Sequence, residues 1–330
     1  MKKIVFLPLS PKMWDGFETL WDKATSDPEN EVKVIPVPTY KRGSDNQLSD
    51  AEYVTDGYPD NVEITDINEY SLRIHHPDII YVQNIQDTDN RGFCVHPAFH
   101  TDKLKEYTDN LIYIPYLCTE LISFDDPYFL ASIRPLIYCP GIYNVNSIIV
   151  QSENQKELYL YYLAGANTEL RNHWSQKITC DNYPRNMLLK KYQKNNVPHP
   201  KEWDILLIDE NGNYRKTIML CTSVMSVLTG NRTVLRKLRT IFEEHISHRD
   251  EYVLIWHPYE TIKDAINLLR PELIEDYEGL MDFYQKNSIG IMDNLSSPTA
   301  AIILSDEYMG DPCGVMELFR FTGKPVIGYL

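Results

Sequence analysis

No stretch of about 18 apolar residues occurs anywhere in the chain, so no membrane-spanning helix is expected. Cations are scarce as well. The 32 Lys and Arg face 47 Asp and Glu, for a formal net charge of −15. Bulk repulsion of that size opposes general binding to nucleic acid or to an anionic membrane. It does not oppose a nucleotide, because a phosphate pocket needs only a few local donors. The cysteines Cys94, Cys118, Cys139, Cys180, Cys221 and Cys313 show no C-x-x-C spacing. They read as reduced thiols of a cytoplasmic protein, and zinc is not expected. A G-x-G-x-x-G fingerprint is missing, which disfavours a nicotinamide dehydrogenase. There is no P-loop, G-x-S-x-G, H-E-x-x-H or zinc-deaminase signature either. The acidic run "DTDN" at residues 87–90 reads as a solvated loop rather than a metal site. No cofactor is expected.

What remains is a chain of 330 residues, 43% hydrophobic and 24% charged. That suits a soluble globular protein with two domains. The N-terminal "MKKIVFLP" pairs lysines with an apolar run, but the run is short and meets proline. It reads as a buried first strand, not as a signal peptide. Strand-like and helix-like runs then alternate: "KMWDGFETLWDKATSD" as a helix, "EVKVIPVPTY", "PDIIYVQN", "NLIYIPYL" and "SIIVQS" as strands. In "SENQKELYLYYLAG", Ser152 and Gln155 form a capping-box pattern and Gly165 suits the helix end. Residues 167–213 are polar and weakly periodic and read as a connection. A second series runs from "KTIMLCTSV" through "EYVLIWHP", "IGIMD" and "AAIILSD", read as strands, to "GVMELFRFT" as a helix and "PVIGYL". Alternation of this kind predicts parallel sheets covered by helices on both faces. The expected fold is α/β, with two Rossmann-like domains facing across a cleft. Residues 1–166 form the first, 167–213 the connection and 214–330 the second.

In open α/β sheets ligands sit at the carboxyl ends of strands. "GDPCG" stands there, directly before a helix. Gly314 permits close backbone approach, and free N–H groups at a helix start favour an anion. Glu317, in the first turn, is placed to accept from ribose hydroxyls. The alternative is purely structural, with Asp311 as cap and Glu317 answering the helix dipole.

The stretch "DPCGVMELFRFTGKPVIGY" resembles the terminal nucleotide-binding motif of two-domain GT-B transferases and of the sugar-nucleotide epimerases similar to them. Asp311, Gly314, Glu317, Gly323, Lys324 and Pro325 stand at the matching positions. "LSDEYMGDPCGVM" also resembles the corresponding stretch of the CDP-glycerol glycerophosphotransferases of teichoic acid synthesis. Pro312, Cys313 and Gly314 replace that family's Tyr-Ser-Ser, so backbone N–H groups take over the role of the hydroxyls. "EYVLIWHPYE" resembles the family's strand ending in His-Pro, which implies that His257 meets a phosphate. "TIMLCTSV" matches the opening of its second domain, where Thr222 and Ser223 either donate to phosphate or cap a helix. The resemblance covers residues 216–330.

The family's His-Gly-Thr base is absent from "NLIYIPYLCTELISF". Glu120 there is either a general base or a surface carboxylate. In the long loop after "YVQN", His96 is the best acceptor-side base; otherwise "VHPAF" caps a helix. The resemblance implies a transferase using a nucleotide-activated donor, CDP-glycerol or a nucleotide sugar. Its acceptor would be a glycan, polyol-phosphate or lipid-linked chain in the cell envelope, met at the inner membrane face. Two other readings stand beside it: a non-catalytic nucleotide sensor or partner subunit, and an epimerase-like enzyme acting on a UDP-sugar. Members of this fold continue past the last strand into a helix; this sequence ends at Leu330, so the expectation is a short protein or part of a longer one.

Overall fold

The computed structural model of the chain describes residues 1–42, 47–88, 93–116 and 123–328. The chain divides into two compact units that meet in sequence between Leu188 and Leu189.

The first unit contains β1 Lys3–Leu7, β2 Glu31–Val34, β3 Thr39–Arg42, β4 Leu48–Glu52, β5 Ile79–Val82, β6 Phe93–Val95, β7 Asn110–Tyr113, β8 Ser147–Ile149 and β9 Ile178–Thr179. Six of these form a parallel sheet in the order β2-β1-β5-β7-β8-β9. Strand β1 is buried at four of its five positions, as expected when helices cover both faces. Strands β4, β3 and β6 make a separate antiparallel ribbon.

The second unit contains β10 Thr217–Thr222, β11 Val253–Pro258, β12 Ile291–Met292, β13 Glu307–Gly310 and β14 Val326–Gly328. All are parallel, in the order β12-β11-β10-β13-β14. Strand alternation feeds two cores. Met219, Cys221 and Ile255 join Trp203, Ala301 and Phe319 on one face. Leu220, Leu254 and Trp256 join Leu238, Phe242 and Tyr284 on the other. Every residue of β11 is buried.

The structure corrects four element assignments. "AAIIL" is not a strand but the helix Thr299–Leu304, and the strand before the terminal motif is β13, "EYMG". Uniformly apolar residues carry no period, so the pattern cannot separate the two forms. Residues 300–304 are buried throughout. The run "TIKDAINLLRPELIEDYEGLMDFYQK", whose pattern reads as one long helix, is two helices, Ile262–Leu269 and Ile274–Lys286, broken at Pro271. The segment 167–213 holds the helices Thr168–Lys177 and Pro184–Lys191 and strand β9, with Trp174 and Tyr183 in the core. "EVKVIPVPTY" splits between the parallel sheet and the antiparallel ribbon. Ser152 caps its helix through Gln155 N–H, but the Gln155 side chain accepts from Gln151 N–H rather than returning to Ser152.

Candidate functional site

In each sheet the chain reverses direction beside its first strand. In the second unit it runs β10, β11, β12 outward, then crosses back to place β13 on the other side of β10. The carboxyl ends of β10 and β13 therefore flank the switch point, where α/β sheets open a crevice. Two helices begin there. Val224–His248, interrupted at Asn231 where φ is +54°, follows β10, and Gly314–Phe321 follows β13.

Gly310 makes this approach possible. Its φ is +146°, and a Cβ there would stand 2.4 Å from the Cys221 carbonyl oxygen. Glycine alone lets β13 pass that close. Asp311 comes next, 1% exposed. Its Oδ2 accepts from Ser223 N–H at 2.6 Å, tying the two strand ends together. Its Oδ1 is buried with no hydrogen-bond partner among the described residues. A buried carboxylate oxygen without a donor is costly, and such a group calls for an explanation.

The structure brings Thr222, Ser223, Asp311, Cys313 and Gly314 to this point, but it gives several of them structural duties. Thr222 Oγ1 accepts from Trp256 Nε1 at 3.0 Å. Ser223 Oγ caps Val224–His248 by accepting from Ser226 N–H. Asp311 already occupies the Ser223 amide. The other helix start is that of Gly314–Phe321, where the Met316 N–H turns to Cys313 and the N–H groups before it have no intrahelical acceptor and suit an anion.

Cys313 sits at this N-cap, its sulfur 3.7 Å from the Cys221 sulfur and 3.4 Å from the Tyr308 hydroxyl. The Cys221 thiol pulls the Cys313 pKa down to about 6, against its burial; Tyr308 and the Met316 N–H add to the effect. Cys221 is pushed up, chiefly by burial and then by its sulfur neighbour. Burial likewise raises Tyr308. Glu317 lies one turn in, with Arg320 Nη1 2.9 Å away and a quarter of its side chain exposed.

The Gly-Lys-Pro that follows is largely structural. Gly323 takes φ +73° beyond the helix end. Lys324 Nζ donates to the carbonyls of Ile302, Ile303 and Ser305, closing the C-terminus of helix Thr299–Leu304. Burial lowers its pKa to about 8.

His257 is the penultimate residue of β11, in register with Cys221. Its Nδ1 lies 2.8 Å from Asp293 Oδ2. Asp293 directly follows β12, and its Oδ1 accepts from Leu295 N–H. Sequence reading named His257 and missed Asp293. The available signal was an aspartate closing the apolar "IGIMD", a position that becomes adjacent to His257 only once β12 pairs with β11.

The first-unit candidates fare differently. His96 Nδ1 accepts from Ala98 N–H at 3.2 Å, capping a short 3-10 turn after β6. A neutral ring in that role carries its proton on Nε2, so Nε2 has no lone pair with which to take one. That geometry matches the cap alternative. Glu120 lies outside the described residues. Asp87 is half-buried, and Thr101 N–H and Oγ1 both donate to its carboxylate. At the carboxyl edge of the first sheet, the stretch "LPLSPKMWDGFE" after the first strand predicts Asp15, but no local pattern points to Arg185. Arg185 Nε donates to Asp15 at 3.1 Å and its guanidinium stacks 4.6 Å over Tyr116. No group of three or more potential metal ligands occurs among the described residues.

No family model matches the sequence, and no curated protein does. Solved structures do. The Staphylococcus aureus MnaA–UDP structure matches with a TM-score of 0.55 at 11% identity, over 99% of this chain and 78% of that one. The Methanocaldococcus jannaschii UDP-GlcNAc 2-epimerase in complex with UDP-GlcNAc and UDP gives 0.52 at 14%, over 99% and 83%. The wall teichoic acid polymerase TagF, soaked with CDPG, gives 0.52 at 14%, over 99% and 69%. At these identities the likeness speaks for the fold, and the chain has a GT-B-like fold of two Rossmann-like domains.

Proposed function

We propose that this chain is an enzyme acting on a substrate activated by a nucleoside diphosphate, held at the carboxyl edge of the second sheet. The observation that carries the reading is the start of helix Gly314–Phe321 beside the buried Asp311 Oδ1, which has no hydrogen-bond partner among the described residues. The helix start suits a phosphate. Asp311 Oδ1 suits a hydroxyl or N–H of the same ligand, and Glu317 suits a ribose hydroxyl. His257 adds a proton-exchanging group. Structural neighbours solved with UDP, UDP-GlcNAc and CDPG support the ligand class.

In the finer reading the enzyme is a transferase. It passes a glycerophosphate or sugar from the donor to a hydroxyl of a glycan, polyol-phosphate or lipid-linked acceptor of the cell envelope, at the inner membrane face and with no further cofactor. The second reading is a UDP-sugar epimerase, favoured by Glu317 in the first turn and by neighbours that are UDP-GlcNAc 2-epimerases.

Thermal denaturation with millimolar UDP, CDP, UDP-GlcNAc and CDP-glycerol tests the class. At least one should raise the melting temperature, and Glu317→Ala should weaken that ligand about tenfold, the loss of a charge-assisted hydrogen bond. No shift with any of the four overturns the proposal. For a ligand that binds, product analysis by NMR separates the readings. Release of free nucleotide upon addition of acceptor marks a transferase, and inversion at the sugar with the nucleotide intact marks an epimerase.

A further inference from the structure

We propose that Asp293 is a positioning residue that holds His257 with one proton on Nδ1, leaving Nε2 to take a proton and donate it as a hydrogen bond to a phosphate oxygen of the bound diphosphate. This rests on the ligand class proposed above; the tautomer it requires can be measured without any ligand.

The geometry is set by the sheet. Trp256 and Met292 are register partners, so His257 and Asp293 are the next residues along adjacent parallel strands. Asp293 N–H donates to the Trp256 carbonyl at 2.8 Å, fixing the backbone behind the carboxylate. Leu295 N–H holds Oδ1 at 2.9 Å, which aims Oδ2 at the imidazole. The Asp293 side chain is 0% exposed and that of His257 9% exposed. A carboxylate can only accept, so Nδ1 must be the donor. Nε2 has no hydrogen-bond partner among the described residues. This is the reverse of His96, whose Nδ1 accepts.

Titratable neighbours of the ring among the described residues include Tyr259, at 6.2 Å between ring centroids, and Cys221, the register partner in β10. Neither is a cation, and the anion beside the ring is Asp293. A diphosphate arriving at Nε2 supplies a second anion. One proton moves from solvent to Nε2, and the imidazolium then lies between two negative groups.

Asp293→Asn provides the test. With its oxygen kept on Leu295 N–H, the new amide nitrogen faces Nδ1 and donates to it, which forces the proton to Nε2. The imidazole ¹H–¹⁵N spectrum of the full chain, assigned with His257→Gln, should show the Nδ1–H form in the original protein and the Nε2–H form in Asp293→Asn. An Nε2–H form in the original protein, or no change on substitution, overturns the proposal.

Titration calorimetry with UDP and CDP at pH 8, in two buffers of different ionisation enthalpy, reads the proton. The original protein should take up close to one proton and Asp293→Asn close to none, with binding weakened about tenfold or more. Equal uptake in both proteins overturns the proposal; a merely structural Asp293 would lower the melting temperature and leave uptake unchanged. If neither nucleotide binds, the ligand class fails, and the tautomer spectrum still decides whether Asp293 sets the ring.

Discussion

The carboxyl edges of the two sheets solve the same problem in different ways. In the first unit, the turn after β1 and the helix after β9 are joined by a buried ion pair. Asp15 and Arg185 have side chains only 5% and 9% exposed, and each charge answers the other. In the second unit, Asp311 is as deeply buried but meets no cation among the described residues. It is held by one backbone N–H and keeps one oxygen without a partner. What separates the two edges is the counter-charge: Asp15 faces a guanidinium, whereas Asp311 is held by a backbone N–H beside a helix start, and for that reason the second edge is the better candidate site.

The largest effect is expected from breaking the paired edge. Arg185→Ala should destabilise the first unit by about 3–5 kcal/mol in urea unfolding, because it strands a buried carboxylate. Arg185→Met combined with Asp15→Leu should recover most of that loss. If the single substitution costs less than about 1 kcal/mol, the edge is not held by the pair.

Next in size is the backbone approach at the second edge. Gly310→Ala drives a methyl into the Cys221 carbonyl and should cost about 3 kcal/mol. The loss should appear in the second unit and remove nucleotide binding with it.

A smaller and pH-dependent effect belongs to Cys313. Its folded pKa, about 6, lies below the ordinary thiol value of 9.0. A depressed acid stabilises the fold when ionised. The contribution is therefore full above about pH 9 and is lost as pH falls through about 6. The melting-temperature difference between the original protein and Cys313→Ala should grow in favour of the original from pH 6 to 9. A flat difference would mean that the thiol stays protonated.

The smallest change is expected at His96. His96→Ala removes one N-cap hydrogen bond and should cost about 1 kcal/mol or less, with turnover of any donor unaffected. A loss of turnover without a loss of stability would return His96 to the acceptor-side chemistry and remove its contrast with His257.

How legible the site was depended on the kind of interaction. Capping is local, so Ser152, Gly165 and the helix start at Gly314 could be read from neighbours within a turn. Chemistry carried by pairs distant in sequence could not. Asp293 is 36 residues from His257, and Arg185 is 170 residues from Asp15; nothing in either local pattern announces its partner. "AAIIL" misled for a different reason. A stretch buried on every side has no polar face to reveal its period, and only Lys324, reaching its terminal carbonyls, shows where the helix ends.

By itself the sequence determined the α/β class, the two series of strands and helices, and the helix start after "GDPC". These follow from hydrophobic period and from glycine and proline placement, which act over a few residues. Only the tertiary structure decided which residues share the second edge. Strand order sets that: β13 returns beside β10 and β12 lies beside β11, so Asp311 meets Ser223 and Asp293 meets His257. Sheet order is a property of packing across the whole unit, and no local pattern encodes it.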